Sequence, residues 1–197
     1  MEQPSRREEY SQATRSALVA AAREAFTAHG YANASIEEIA RDARVTRGAL
    51  YHHFPSKLAL FEEVVHAAQS EMAARVSSAA VKETDPWKRM EVGIGEFLSA
   101  SHASDYRQIV LEDAISVLGW LRWREIDDQY MLGGTTAAFT ALAQAGEIPA
   151  DSVNMLTHLL VGAITEAALV VASSATPHQA ADEARTLLIQ LLKGAGH

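Results

Sequence analysis

The residues best suited to chemistry lie in one short stretch, VTRGALYHHFPSKLALF, which runs from Val45 to Phe61. It combines the adjacent histidines His52 and His53 with a tyrosine, an arginine and a lysine among apolar residues. Three uses fit such side chains: binding a metal, transferring protons, or holding a molecule outside the protein.

The pattern does not favour a metal site or a catalytic site. Neighbouring residues on a helix do not face each other, whereas zinc-binding pairs are spaced i, i+4, as in H-E-x-x-H. The chain has no cysteine, which excludes thiolate zinc sites, disulfides and cysteine nucleophiles. It also lacks a G-x-S-x-G or phosphate-loop motif. We therefore predict no enzymatic activity, no metal and no cofactor.

The polar residues of the stretch fit one helix that contacts DNA. Thr46 lies at a predicted helix N-terminus, where free backbone N–H groups attract a phosphate. Arg47 is long enough to bind guanine O6 and N7, and Gly48, a poor helix former, keeps side chains away from the groove floor. Tyr51 lies one turn after Arg47, and Lys57 lies in the first turn of the next helix, so both are placed to bind phosphates.

The two histidines contribute unequally to this prediction. His52 lies beside Tyr51 and is expected to contact a phosphate or a base. His53 is expected more often to pack against the scaffold or to be partly exposed than to touch DNA. Leu50 and Phe54 are predicted core residues that fasten the helix to the protein.

Short capped helices surround the stretch. Apolar positions recur at helical spacing from Thr14 to His29, and Gly30 is typical of a helix end. SIEEIARDA predicts a short helix with an S-x-x-E capping box that begins at Ser35, and Thr46 and Ser56 are predicted N-caps of the next two helices. Two short helices joined by a tight turn, behind a longer first helix, form a helix-turn-helix arrangement.

The remainder of the chain also shows helical spacing, so we predict an all-α protein of about nine helices. Residues 1–60 form the predicted helix-turn-helix domain, with the start of a connecting helix, and residues 61–197 form a second helical domain. Gly95 is predicted to mark a close contact between helices. A bend or an interruption is predicted near Gly133-Gly134.

Composition points to a soluble protein with two dissimilar parts. The net charge is −8, yet residues 1–60 hold 8 basic and 7 acidic residues, against 9 and 18 in the remainder. This asymmetry suggests different partners for the two parts. The N-terminus shows no signal-peptide pattern, and the longest apolar run, Leu159 to Ala172, is too short to span a bilayer. We expect a cytoplasmic protein without a membrane partner.

The predicted helix from Ser152 to Ala172 is apolar nearly all the way round. A helix on the surface of a small protein needs a polar stripe, so this one must be covered on both sides. Together with the amphipathic last helix it favours a homodimer. The predicted interface residues are Leu160, Ile164, Leu188 and Leu192. The alternative is the central helix of a monomeric bundle.

SIEEIARDARVTRGALYHHFPSKLALF resembles the DNA-binding domain of the TetR family of bacterial transcriptional regulators. The resemblance covers roughly Thr14 to Phe61, and one departure is Leu58, where the family commonly has an acidic residue. It implies phosphate contacts for Ser35, Thr46, Tyr51 and Lys57. It also implies that Arg47, Gly48 and His52 face the bases.

The resemblance extends more weakly to residues 61–197, through their helical layout and the segment HLLVGAITEAALVVA. It implies a homodimer that reads a near-palindromic operator in double-stranded DNA, with a ligand-binding and dimerisation domain around a small-molecule pocket. Ligand binding would shift the population toward a conformer that no longer fits the operator. The resemblance therefore implies a repressor that leaves its operator when it binds its ligand. A transcriptional activator of the same fold, and an enzyme with its site in the C-terminal domain, remain the alternatives.

The effector itself is not predicted by the sequence. Aromatic and apolar residues that suit a cavity, or equally ordinary core, are Trp87, Tyr106, Trp120, Trp123, Tyr130, Met131 and Phe139. Polar residues in apolar helical context are Glu112, His158 and Glu166. From these sets the predicted pocket residues are Tyr106, Glu112, Trp120, Trp123, His158 and Glu166. Alternatively, Glu112 and Glu166 do not bind a ligand. They would then cross the dimer interface or pair with Arg122 or Arg124.

Overall fold

The computed structural model describes residues 5–194, which form helices and no strand, so the all-α prediction is confirmed. The helices are α1 (Arg6–Asn33), α2 (Ile36–Asp42), α3 (Arg47–His53), α4 (Lys57–Ala80), α5 (Pro86–Ser101), α6 (Ser104–Tyr106, π-helical Arg107–Asp113 and Ala114–Leu118), α7 (Trp120–Gln144), α8 (Val153–Ser173) and α9 (Pro177–Gly194). Within the described residues the helix count thus agrees with the prediction. A single 3₁₀ turn, Ala150–Ser152, precedes α8.

Helix α1 begins one residue after Ser5, well before the predicted start at Thr14. The signal is a capping box: the Ser5 hydroxyl accepts from the Glu8 N–H at 3.3 Å, and the Ser5 N–H donates to Glu8 Oε2 at 2.7 Å. Gly30 has a positive φ of 69°, which interrupts the helical backbone close to the predicted end.

The turn between α2 and α3 has the geometry of a Schellman motif. The Arg44 N–H donates to the Arg41 carbonyl and the Val45 N–H donates to the Ala40 carbonyl, both at 2.9 Å. Arg44 therefore takes a left-handed φ of 58°, at a position that glycine usually fills. This confirms the predicted tight turn.

Buried apolar side chains hold α3 against the rest of the N-terminal domain. Leu50 is fully buried and Phe54 is 2% exposed, as predicted. Phe26 of α1 packs edge-on against Phe61 of α4, with ring centroids 5.1 Å apart. Leu50 and Phe54 belong to the same buried cluster as Phe26 and Phe61, and α3 also packs against α2. The apolar face of α3 is thus buried in the domain, which leaves the opposite face free.

The C-terminal domain is a bundle in which α4 packs on α5, α7 packs on α8, and α9 packs on α5 and α8. Gly95 is the predicted close contact: a Cβ at that position would lie 2.9 Å from Arg185 Cδ of α9. The predicted interruption near Gly133-Gly134 is wrong, because α7 is continuous from Trp120 to Gln144.

Polar contacts join α1 to the C-terminal bundle. Arg23 lies 2.6 Å from Glu71 of α4 and 2.6 Å from Asp105 of α6. The Tyr31 N–H donates to Asp113 Oδ2 at 2.7 Å. Helix α4 itself crosses the predicted domain boundary at residue 60 and belongs to both parts.

The segment Ala150–Ser173 is long and apolar enough to cross a membrane by length and composition, with a mean hydropathy of 1.8. The predicted apolar run, Leu159 to Ala172, covers only the C-terminal part of this segment, so the expectation that it is too short to span a bilayer is not confirmed. In the structure one side of α8, which includes Val161, Ala168 and Val171, is buried against the bundle. The segment therefore also has the features of a core helix.

Candidate DNA-contact surface and effector cavity

The exposed face of α3 carries the residues that the sequence predicted to meet DNA. Thr46, Arg47, Gly48, Tyr51 and His52 are all exposed. They lie opposite the buried Leu50 and Phe54, so one helix face is core and the other is free. This arrangement leaves the free face available to enter a major groove.

Thr46 and Gly48 form the N-terminal end of this face. The Thr46 hydroxyl accepts from the Ala49 N–H at 3.1 Å, which makes Thr46 the N-cap of α3, as predicted. A Cβ at Gly48 would meet only Thr46 Oγ1, at 3.9 Å. Nothing inside the protein therefore requires a glycine at this position.

Arg47 is held between two neighbours on the surface. Its Nη1 lies 2.5 Å from Glu37 Oε1 of α2, and its guanidinium carbon lies 5.6 Å from the centre of the Tyr51 ring. A hydrogen bond from the backbone N–H of Glu37 lowers the pKa of its carboxyl, as do the Arg47 charge and the Ser35 hydroxyl. Sequence reasoning missed Glu37 as a partner of Arg47, since only the fold brings α2 and α3 together.

Ser35 caps α2, but the predicted capping box is only half formed. Its hydroxyl accepts from the Glu38 N–H at 3.4 Å and donates to Glu37 Oε2 at 3.2 Å. The Glu38 carboxylate lies 3.9 Å from Arg41 instead of returning to Ser35. Ser35, Glu37, Arg47 and Tyr51 thus form one continuous surface group.

Lys57 lies apart from this group, beside the end of α1. Its Nζ donates to the Ala32 carbonyl at 3.2 Å and lies 4.7 Å from the centre of the Tyr31 ring. Partial burial lowers its pKa. The Ala32 carbonyl therefore supplies a partner for a lysine that is unfavourably placed at a helix N-terminus, without any phosphate.

Arg15 of α1 braces the end of α3, a role that the sequence did not reveal. Its Nη1 donates to the His53 carbonyl at 3.4 Å, and its Nη2 lies 2.6 Å from Glu63 of α4. The guanidinium also lies 4.3 Å from the centre of the Phe54 ring. His53 is half-buried, in line with the prediction that it packs against the scaffold.

Among the described residues, no group of three or more His, Asp or Glu side chains is placed to hold a metal ion. The His52 and His53 rings lie 5.7 Å apart and nearly perpendicular.

A cavity of about 320 Å³ lies inside the C-terminal bundle, between α4, α5, α7 and α8. Its wall is formed by Ala73, Val76, Ser77, Ala80, Val81, Arg89, Met90, Gly93, Ile94, Phe97, Tyr130, Met131, Gly134, Thr135, Ala137, Ala138, Leu160 and Ile164. This volume falls at the lower end of the range for small-molecule sites. Most of these residues are small or aliphatic, a pattern that individual aromatic residues in the sequence do not reveal.

None of the six predicted pocket residues belongs to this wall, although the aromatic and apolar set did contain Tyr130 and Met131. Tyr106 and Trp123 are core residues: the Tyr106 O–H donates to Gln69 at 2.9 Å, and the Trp123 Nε1–H donates to the Val110 carbonyl at 3.2 Å. The remaining four, Glu112, Trp120, His158 and Glu166, are exposed. Glu112 lies 3.0 Å from Arg107 rather than from Arg122 or Arg124.

Comparison with known families identifies both parts of the chain. Residues 18–64 match the family described as bacterial regulatory proteins, tetR family. Residues 87–195, more than half of the chain, match the family described as tetracyclin repressor-like, C-terminal domain. The chain belongs to the TetR family.

Individual members of the TetR family agree with this assignment. The chain is 27% identical over 165 residues to the Transposon Tn10 TetC protein of Escherichia coli, which covers 82% of each protein. It is also similar to the crystal structure of a TetR-family transcriptional regulator from Pectobacterium atrosepticum, with a TM-score of 0.83 and 28% identity over 98% of this chain and 97% of that one. RolR in complex with resorcinol shares the fold, with a TM-score of 0.73 and 15% identity over 93% and 89% of the two chains. This TetR-family chain is a DNA-binding transcriptional regulator.

The predicted dimer residues of this TetR-family chain require correction. Leu160 and Ile164 face the cavity, and Leu188 is only 9% exposed, because all three pack inside their own chain. Leu192 is half-buried. The exposed residues of α8 instead include Met155, Leu159, Gly162, Ala163, Glu166 and Val170, which recur at helical spacing. Leu187 and Leu191 of α9 are exposed as well.

Proposed function

We propose that this regulator is a cytoplasmic homodimer that represses transcription from a near-palindromic operator until a small molecule occupies the cavity. The observation that carries the proposal is the course of α4. This helix begins at Lys57, beside the DNA-contact surface, and its last turns, from Ala73 onward, line the cavity. A ligand that moves the last turns of α4 would therefore change the position of α3. We propose no catalytic activity.

The proposed dimer interface is the exposed stripe of α8, Met155, Leu159, Gly162, Ala163, Glu166 and Val170, with Leu187 and Leu191 of α9. A contiguous apolar patch of this kind marks an interaction surface. Gly162 has no neighbour within 4 Å of the position of a Cβ, so a second copy can approach the backbone closely there. Glu166 lies on this stripe, which favours the interpretation that it crosses the interface.

The DNA roles proposed from the sequence fit the surface. Thr46, Ser35, Tyr51 and Lys57 would bind phosphates, and Arg47, Gly48 and His52 would face the base edges. To bind DNA, Arg47 must leave its ion pair with Glu37, and Lys57 must leave its hydrogen bond to the Ala32 carbonyl.

Selection of bound duplexes from random DNA with the purified protein tests the operator. We expect near-palindromes whose half-sites lie about 34–36 Å apart, or a multiple of that distance. A selected site placed across a promoter should lower reporter expression when the regulator is present. A rise in expression would contradict repression and support an activator, and asymmetric selected sites would contradict a twofold dimer.

Filling the cavity tests its role in release. Gly134 lines the cavity and a Cβ there meets nothing within 4 Å, so Gly134→Leu should fill space without disturbing the helix. Gly133→Leu is the matched control, since Gly133 is equally uncrowded and does not line the cavity. Alcohols, amines and carboxylates with apolar bodies are screened for release of the wild-type protein from the selected DNA. Compounds that release the wild-type protein should also release Gly133→Leu but should not release Gly134→Leu. Equal release from both variants would place the effector elsewhere.

A further inference from the structure

The cavity wall is apolar with one charged exception. Its larger apolar residues include Met90, Ile94, Phe97, Leu160 and Ile164, and Arg89 is the one charged side chain among its described lining residues. Arg89 lies in the first turn of α5, next to the end of α4.

Two polar side chains of the wall already have partners. The Thr135 hydroxyl donates to the Met131 carbonyl of its own helix at 2.8 Å. The Tyr130 hydroxyl lies 3.1 Å from His66 Nδ1. These groups are therefore less available than Arg89 to orient a ligand.

Arg89 is oriented by the chain, but its charge is not compensated. Its Nε and Nη2 both donate to the Glu83 carbonyl, at 3.1 and 2.7 Å. Among residues 5–194 no carboxylate forms an ion pair with Arg89, and its hydrogen bonds use Nε and Nη2 but not Nη1. A fixed guanidinium with a free N–H edge binds a carboxylate better than a neutral group, whereas it repels an amine.

We propose that the effector is a small apolar monocarboxylate, whose carboxylate binds Nη1 of Arg89 and whose body lies along the wall formed by α5, α7 and α8. This inference rests on the proposed effector role of the cavity. The volume of about 320 Å³ equals roughly ten water molecules at about 30 Å³ each. The eight-residue separation of Ala73 and Val81 along α4 spans about 12 Å at ~1.5 Å per residue. These dimensions suit a molecule of about ten to fourteen non-hydrogen atoms.

Calorimetric titration of the full-length protein, without DNA, tests the head group directly. The probes are 2-naphthoate, 2-naphthalenemethanol and 2-naphthalenemethylamine, which share one apolar body, with decanoate as a linear carboxylate. We expect at least one carboxylate to bind about 10- to 100-fold more tightly than the alcohol, and the amine to bind most weakly. Equal affinities across the naphthalene series, or no binding of either carboxylate below about 1 mM, would overturn the proposal.

Variants of Arg89 separate its charge from its structural contact with Glu83. Arg89→Gln keeps an N–H for the Glu83 carbonyl and removes the charge, whereas Arg89→Lys keeps the charge. We expect carboxylate affinity to fall about 10- to 100-fold in Arg89→Gln and much less in Arg89→Lys, with alcohol affinity unchanged in both. An equal loss for carboxylate and alcohol would show that Arg89 acts only through the shape of the wall. These titrations contain no DNA, so a negative result would overturn only the carboxylate proposal. The role of the cavity in release from the operator is tested separately by Gly134→Leu.

Discussion

Arg47 Nη1 lies 2.5 Å from Glu37 Oε1, so in the free protein a carboxylate of α2 holds the arginine that is expected to meet a base. Both side chains are more than half exposed, at 61% and 60%, and exposed ion pairs of this kind contribute little to stability. DNA can therefore displace Glu37 at small cost. Its carboxyl, with a lowered pKa, remains ionised at neutral pH and repels phosphates.

Glu37→Gln is expected to raise affinity for both selected and random duplexes, because it removes a negative charge from the DNA-contact surface and releases Arg47. Fluorescence anisotropy at several salt concentrations measures the change. Glu38→Gln is the matched control, since it removes one charge from the same helix without freeing Arg47. An increase no larger for Glu37→Gln than for Glu38→Gln would mean that the ion pair itself has no role.

Gly48→Ala is expected to separate stability from DNA binding. Alanine should stabilise α3 by up to about 1 kcal/mol, because glycine is a poor helix former and nothing crowds its Cβ position. The same methyl group would stand between α3 and the groove floor, so operator affinity should fall. Chemical denaturation and anisotropy provide the two measurements, and a variant that binds the operator fully would remove Gly48 from the contact surface.

Phosphate and base contacts are expected to respond differently to substitution. Tyr51→Phe and Lys57→Gln should weaken binding to selected and random DNA alike. Only Lys57→Gln removes a positive charge, so it should lower the salt slope by about 0.9, whereas Tyr51→Phe should leave the slope unchanged. Arg47→Ala should instead lose ~1–3 kcal/mol on the selected site and little on random DNA. If Arg47→Ala still discriminated fully between the selected site and a mutated one, its assigned role would be incorrect.

Leu159→Glu is expected to convert a dimer to monomers, because it places a charge in the centre of the exposed α8 stripe. Leu121→Glu is the control, since Leu121 is 79% exposed and lies on α7, outside that stripe. Analytical ultracentrifugation should show dissociation only for Leu159→Glu, with operator affinity lost in parallel. A dimeric Leu159→Glu protein would require another interface.

Asp127 is expected to make stability depend on pH. The carboxyl is 3% exposed, and burial raises its pKa to about 6, against the effect of the hydrogen bond from Gln69 and the Arg124 charge. Between about pH 4 and 6 the folded protein keeps a proton that the unfolded chain releases, so its free energy of unfolding falls as pH rises. Asp127→Asn should abolish this fall in the free energy of unfolding. The variant should be more stable than wild type by up to roughly 3 kcal/mol at pH 7 and by little near pH 4. Denaturation at both pH values measures this, and a pH-independent difference would exclude titration of Asp127 as the cause.

Local patterns in the sequence predicted the N-terminal domain well. Caps at Ser35, Thr46 and Ser56, the turn at Arg44 and the core residues of α3 all depend on neighbours within a few positions. The fold class and the family followed from the same local signals. The contacts of Arg47 with Glu37 and of Lys57 with Ala32 join residues 10 and 25 positions apart, so they become visible only in the folded chain.

The cavity and the proposed interface could not be assigned residue by residue from the sequence. Helix α8 is apolar on both sides, so its composition indicates two covered faces without saying which face is internal. Leu160 and Ile164 point into the bundle, whereas Leu159 and Ala163, one position before each, lie on the outside. The predicted interface face of α8 therefore differs from the exposed face by one residue, which is a rotation of about 100° about the helix axis. The cavity escaped prediction because many small residues line it beside a few large ones such as Phe97 and Tyr130, and small residues carry no distinctive signal in the sequence.

The two glycines of α7 have a consequence for how the cavity is reached. Gly133 and Gly134 are helical, yet each costs about 1 kcal/mol of helix propensity relative to alanine, and no neighbour crowds either Cβ position. The backbone of α7 is thus least resistant to local unfolding at the cavity wall itself. We expect amide hydrogens around this pair to exchange with solvent earlier than those elsewhere in α7, and more slowly in Gly133→Ala. Local opening at this point would widen the entrance of a cavity that is already partly open to solvent.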